Sequence, residues 1–284
     1  MKVAVVGLGF MGTTHLGIWA RMPGVTIGAV VCRDPAKVVA EGITTAAGNL
    51  DRAAARIDLA GVAVVSDLAA VLNDPSIDII DICLPTHLHE SSAIAALKAH
   101  KHVLVEKPMA LDEAACDRIL SAAGTSGRLL MSAQVLRFWP DYQPLIRAHQ
   151  NGNLGAARAW LFRRRCAAPA WGKWLQDASQ SGGGVFDLLI HDVDLVLHLL
   201  GEPLAVSATG VEDLPRGIDV VTASLHYDAG PEVVISGGWH HPASYPFSME
   251  YTATFDLGTI EFSSAGRPVT LYANGRNEAM DVPK

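Results

Sequence analysis

The chain has 284 residues, half of them hydrophobic and 18% charged, with a net charge of −7. That length can supply two domains, each with its own core, and the acidic balance offers no basic field to a nucleic-acid backbone. The four cysteines show neither a CxxC pair nor disulfide-like spacing, and no apolar run approaches the roughly 18 residues of a membrane span. A strand pattern starting at Lys2 leaves no signal-peptide layout, so the expectation is a soluble cytoplasmic protein with reduced thiols, binding neither nucleic acid nor membrane.

In chain order, short runs rich in Val, Ile, Leu and Ala fall at 3–6, 26–31, 77–84, 102–105 and 129–133, with amphipathic segments such as 89–100 and 112–123 between them. Strands that are apolar on both faces and alternate with helices predict a parallel, doubly wound sheet. The rhythm changes near residue 134. A helix is expected at 142–151, a strand at 156–165 and a helix at 184–200, its start marked by Gly182-Gly183-Gly184. Strand-like runs follow at 205–210, 220–227, 232–239, 250–255, 259–262 and 269–272, with turns short enough for a largely antiparallel sheet. The fold class is therefore α/β: a Rossmann dinucleotide-binding domain over 1–134, then an α+β domain with a large, mostly antiparallel open sheet over 135–284. Arg163-Arg164-Arg165 reads as a solvated face of its strand.

The first strand runs straight into Gly7-Leu8-Gly9-Phe10-Met11-Gly12. In this pattern Gly7 permits the tight turn, Gly9 lets a pyrophosphate approach the backbone, and Gly12 allows the helix to pack closely on the strand. The cofactor expected there is a dinucleotide lying along Gly7, Gly9, Phe10, Met11 and Gly12. The second strand ends Val30-Val31-Cys32-Arg33-Asp34, with a cysteine where an acid would bind the adenosine ribose. Arg33 could pair with a 2′-phosphate and stack on adenine, which favours NADP over NAD. The plainer reading makes Arg33 a solvated side chain and Asp34 a helix cap before Pro35.

Several motifs together resemble the glucose–fructose oxidoreductase/inositol dehydrogenase (Gfo/Idh/MocA) family. They are GLGFMGTTH with His15 in the first helix, CLPTHLH at 83–89, VEKPMA at 105–110, RFWPDY at 137–142, NLG at 153–155, GGGVFDLLIHDVD at 182–194 and LGTIEF at 257–262. The family pattern continues past the last strand into a helical segment, whereas this sequence stops at Asp281-Val282-Pro283-Lys284, which leaves assembly open. The resemblance implies hydride transfer between nicotinamide and a polyol, sugar or related hydroxy or carbonyl compound, with Lys107, Asp187 and His191 as catalytic residues. Its fold also serves nicotinamide-dependent glycosidases and non-catalytic dinucleotide-binding regulators.

The residues suit those roles. His191 can take a hydroxyl proton because imidazole titrates near neutral pH, and Asp187 lies four residues earlier on the same helical face. Lys107 follows a parallel strand at its C-terminal end, where ligands bind in open α/β folds. Each also has a plainer reading, as a core histidine, a helix N-terminal acid and a surface ion pair with Glu106. Leu84, Pro85, Thr86 and His89 are expected over the cofactor, with Glu106 accepting from the nicotinamide ribose hydroxyls. Trp171, Lys173 and Trp174 could wall the substrate site, and His240 and His241 either line it or form an exposed pair. Asp192 and Asp194 are expected to be structural. No metal-ligand spacing stands out. An open sheet with an apolar face left uncovered implies a homodimer or homotetramer.

Overall fold

The computed structural model describes residues 1–41, 43–44, 56–170, 172–213 and 218–283. The chain divides into two compact units, Met1–Ala133 and Gln134–Lys284.

The first unit runs β1 (Lys2–Val6), α1 (Phe10–Trp19), β2 (Thr26–Val31), α2 (Pro35–Glu41), β3 (Ile43–Thr44), β4 (Arg56–Ile57), β5 (Ala63–Val65) and α3 (Leu68–Leu72). It continues with β6 (Ile79–Ile82), α4 (His89–Lys98), β7 (His102–Val105), α5 (Glu113–Ser126) and β8 (Leu130–Ser132). Six parallel strands form one sheet in the order β5-β2-β1-β6-β7-β8. This is the doubly wound order, reversing direction at β1 and β6, where a crevice opens at the strands' C-terminal ends. The strands are apolar throughout because side chains alternate between two cores. Ala4 and Val6 join one cluster with Ala29 and Val31, while Val3 and Val5 join the other with Val30. The run expected at 77–84 is shorter than anticipated, because the Ile77 N–H closes a turn onto the Asp74 carbonyl at 3.2 Å.

The second unit contains α6 (Gln143–Asn151), β9 (Ala157–Ala167), α7 (Ala178–Ser181) and α8 (Gly183–Leu200). The strands β10 (Ala205–Asp213), β11 (Ile218–His226), β12 (Glu232–His241), β13 (Ser248–Phe255), β14 (Gly258–Ser263), β15 (Arg267–Ala273) and β16 (Arg276–Ala279) follow. They form an eight-stranded sheet ordered β10-β11-β12-β9-β13-β14-β15-β16. Its neighbours are antiparallel except for the parallel pair β12 and β9. The helices α6 and α8 contribute Leu145, Ile146, Leu189, Leu195 and Val196 to one core with Trp160, Phe162, Tyr251 and Phe255 of the sheet. At Gly237 a Cβ would meet Leu189 Cδ2 at 2.9 Å and the Arg164 carbonyl oxygen at 1.8 Å, so only glycine lets α8 lie this close to β12.

Two expectations need correcting here. The apolar face of this sheet is not left uncovered, since strand alternation turns its large apolar side chains toward α6 and α8. The other face carries a ladder of polar side chains in register, Thr222, Ser236, Arg163 and Glu250, beside Leu161 at 48% exposure. Nor is the arginine run solvated throughout. Arg163 and Arg165 lie on the polar face and both donate to Glu250, whereas Arg164 points the other way and is only 3% exposed. Among the described residues no helix is long and apolar enough to cross a membrane.

Candidate active site

The candidate residues fall into two sets, one in each unit. In the first unit β1 ends in a turn where Gly7 adopts φ +98°, a conformation that disfavours any Cβ. A Cβ at Gly7 would also meet the Cys83 carbonyl oxygen at 2.4 Å, and one at Gly12 would meet the Gly7 carbonyl oxygen at 1.9 Å. Gly9 differs: a Cβ there would meet nothing within 4 Å, so its backbone faces open space. Phe10 and Met11, both partly buried, begin α1 with no side-chain cap and no acid in its first turn. The positive end of the helix dipole is thus left to an anion, and the turn fits a pyrophosphate.

Around that turn, Arg33 is exposed just past β2, and burial raises the pKa of the neighbouring Cys32, which keeps the thiol neutral. After β6 come Leu84 and Pro85, partly buried, and Thr86, whose buried hydroxyl has no hydrogen-bond partner among the described residues. A buried, unsatisfied hydroxyl beside the crevice suits a polar ligand atom. His89 is 1% exposed, with Nδ1 and Nε2 each 2.7 Å from a backbone carbonyl, that of Pro108 and that of Leu84 respectively. Burial lowers its pKa. Both ring nitrogens therefore face loop carbonyls, and the neutral ring donates to one of them.

Glu106 likewise turns inward. Its Oε2 accepts the backbone N–H of Lys107 at 3.0 Å, and its Oε1 lies 3.0 Å from His15 Nε2. On its other side, His15 Nδ1 is 3.0 Å from both oxygens of Asp81. Trp19 Nε1 donates to Asp81 at 2.6 Å, and Cys83 Sγ lies 3.4 Å from His15 Nδ1. His15, Asp81 and Cys83 present ligand-type atoms within 4.8 Å of one another, a grouping that linear spacing conceals. With a carboxylate against each ring nitrogen, the arrangement is an ion-pair cluster.

The cluster's electrostatics follow from its burial. Burial disfavours the His15 imidazolium, but bonds to Asp81, Cys83 and Glu106 outweigh that and raise its pKa far above the usual histidine range. Burial likewise favours protonated Glu106, yet His15 and Lys107 hold its pKa below normal. Burial and the nearby Asp81 carboxylate push the Cys83 thiol up. The raised His15 value stabilises the fold fully below the unfolded histidine value of 6.5 and progressively less as pH climbs above it. The lowered Glu106 value stabilises above 4.5 and loses that contribution as pH falls. The thermal midpoint of the first unit is expected to fall from mildly acidic toward alkaline pH, and His15→Gln to flatten that slope. An unchanged slope in the variant, read by scanning calorimetry, would remove His15 from the titration.

In the second unit α7, capped by Asp177, leads through Gly182 into α8. Ser181 is fully buried, donating to the Leu175 carbonyl at 2.9 Å and accepting from Gly183 N–H at 3.0 Å, which fixes the start of α8. Asp187 and His191 are partly buried one turn apart on this helix. Asp192 points elsewhere: it is 0% exposed and receives Arg164 Nε at 2.7 Å and a terminal Arg164 nitrogen at 3.0 Å, with Tyr142 Oη 3.3 Å from the same guanidinium. Burial works against the Arg164 charge, and Asp192 more than offsets it. Asp194 pairs with Arg137 at 2.6 Å. Trp174 packs on the cluster of Cys166, Leu175, Leu188 and Trp239, Lys173 is exposed, and Trp171 lies outside the described residues. His240 is exposed, whereas His241 stacks on Tyr245 with ring centroids 4.1 Å apart.

A family model described as oxidoreductase family, NAD-binding Rossmann fold, matches residues 1–134, and one for the GFO/IDH/MocA C-terminal domain matches residues 142–261. The chain belongs to the Gfo/Idh/MocA family. It is similar to the myo-inositol 2-dehydrogenase of Thermotoga maritima, 28% identical over 78% of this chain and 63% of that protein. It is also similar to the scyllo-inositol 2-dehydrogenase (NADP(+)) of Bacillus subtilis, 28% identical over 80% of this chain and 64% of that one. The match thus spans less than two thirds of the length of these curated relatives. Among solved structures, a levoglucosan dehydrogenase in complex with NADH matches 98% of this chain and 78% of its own at 21% identity, with a TM-score of 0.82, a likeness of fold.

Proposed function

We propose that this Gfo/Idh/MocA protein is an NADP-preferring dehydrogenase or reductase, acting in the cytoplasm on a hydroxyl carbon of a polyol or sugar. The observation that carries the reading is the cradle in the first unit. Gly9 leaves open space at the uncapped N-terminus of α1, and the Lys107 backbone is held beside the same sheet's C-terminal edge. The relatives' names support the substrate class.

When bound, the dinucleotide supplies a nicotinamide ring that exchanges hydride with the substrate carbon. His191 takes the hydroxyl proton as the carbon is oxidised and returns it in the reverse direction. Asp187 steers that imidazole or binds a second hydroxyl, and Trp174 walls the substrate. Lys107, as an ammonium, stabilises the developing alkoxide and contacts the nicotinamide ribose. Gly7, Gly9, Phe10, Met11 and Gly12 hold the pyrophosphate, and Leu84, Pro85 and Thr86 contact the nicotinamide half. Net reduction of the dinucleotide by a polyol or aldose tests the reading.

Arg33 is assigned to the 2′-phosphate. A charge-assisted hydrogen bond there is worth about 1.5–3 kcal/mol, so Arg33→Ala should weaken NADP binding roughly 10- to 150-fold. NAD, without that phosphate, should lose far less. Equal losses for the two cofactors in paired titrations would leave Arg33 a solvated side chain. The polar sheet face with half-exposed Leu161 is assigned to self-association, giving at least a homodimer. Light scattering at micromolar concentration should return a dimeric or larger mass, and a monomeric mass would refute it.

A further inference from the structure

Asp81 lies in the middle of a strand whose other residues are all isoleucine, and it is 0% exposed. A carboxylate in such a place requires partners, and it has three, Trp19, His15 and the Cys83 thiol. The His15 side chain is 11% exposed and reaches past Asp81 to Glu106. Glu106 spends its other oxygen on the peptide N–H of the next residue, Lys107.

We infer that His15 is a positioning residue for Lys107: backed by Asp81, its imidazole fixes the Glu106 carboxylate, and Glu106 holds the Lys107 backbone. The inference rests on the reading that Lys107 acts at the nicotinamide and the substrate. The chain of contacts is continuous. Trp19 N–H fixes Asp81, Asp81 orients the imidazole, the imidazole holds one Glu106 oxygen as an ion pair at 3.0 Å, and the other oxygen takes the Lys107 N–H. The Glu106 backbone is itself anchored, its N–H donating to the Ile82 carbonyl at 2.9 Å. The peptide after Pro108 is held separately, its carbonyl 2.7 Å from His89 Nδ1. Losing His15 therefore loosens one side of Lys107 and leaves the other clamped, which predicts a partial effect.

The test is a double-mutant cycle between His15→Leu and Lys107→Ala, read by fluorescence titration of NADPH and by turnover on whichever polyol or aldose is oxidised. Alone, His15→Leu should weaken NADPH binding several-fold and lower kcat by roughly 10- to 100-fold, the usual cost of a displaced catalytic group. In the Lys107→Ala background it should change either readout by less than about twofold, because its effect passes through Lys107. Should His15→Leu not fold because two carboxylates are left buried without their cation, Glu106→Leu enters the same cycle, since it leaves the His15–Asp81 pair balanced. Additive losses would make His15 structural only and overturn the inference while Lys107 keeps its role. A Lys107→Ala variant equal to wild type in both readouts would overturn the role of Lys107 and, with it, the inference.

Discussion

Replacing His191 with alanine is expected to lower turnover by about 10²–10⁴-fold while leaving dinucleotide affinity nearly intact. Oxidising an alcohol releases a proton together with the hydride, and at neutral pH an imidazole accepts it with little driving-force penalty. Alanine has no acceptor, so the proton must go to water, and only binding and orientation remain to accelerate the step. The role assigned to His191 is on the substrate hydroxyl and not on the dinucleotide, so cofactor affinity should be spared. His191 is partly buried on a helix with a packed core behind it, so the melting temperature should move little. A variant keeping more than about a third of the wild-type rate would take His191 out of the mechanism.

The second large effect concerns stability. Arg164 and Asp192 have side-chain exposures of 3% and 1%, and removing either one strands the other as a buried, unpaired charge. Arg164→Met alone, or Asp192→Leu alone, should cost about 3–5 kcal/mol. For a domain of this size that lowers the melting temperature by roughly 6–20 °C. The double variant should recover most of the loss, because replacing both partners with apolar groups removes the desolvation penalty as well as the attraction. Denaturant melts of the four proteins measure the coupling directly. A double variant whose loss is the sum of the two single losses would mean the pair is not electrostatically coupled.

Much of the architecture was legible because it is written in local pattern. The apolar runs 26–31 and 102–105 coincide with β2 and β7, and the Gly7–Gly12 motif appears in its strand–turn–helix setting. The parallel pairing of β12 with β9 was not legible, since it joins strands some 75 residues apart that look like any other alternating run. Exposed Arg276–Ala279 carries no apolar signal, β3 and β4 are only two residues each, and β5, although Ala-Val-Val, is only three residues long.

The site divided in the same way. Helical spacing puts Asp187 and His191 on one face of α8, and the family resemblance suggests their roles. The cluster beneath Lys107 gave no such signal, because His15 and Asp81 are 66 residues apart. Only an aspartate inside Ile-Ile-Asp-Ile hinted at it, as a charge that a buried strand cannot hold alone. Arg164 was hidden by its charged neighbours, although period-2 alternation places the middle of three arginines on the opposite face.

The central claim is tested most directly by mixing the purified protein with NADP or NAD and a panel of polyols and aldoses, inositols and levoglucosan among them, and following nicotinamide absorbance. The account predicts net, multiple-turnover reduction by at least one polyol or sugar, faster with NADP, and much slower in both His191→Ala and Lys107→Ala. Tight cofactor binding with no net reduction by any member of the panel would contradict it.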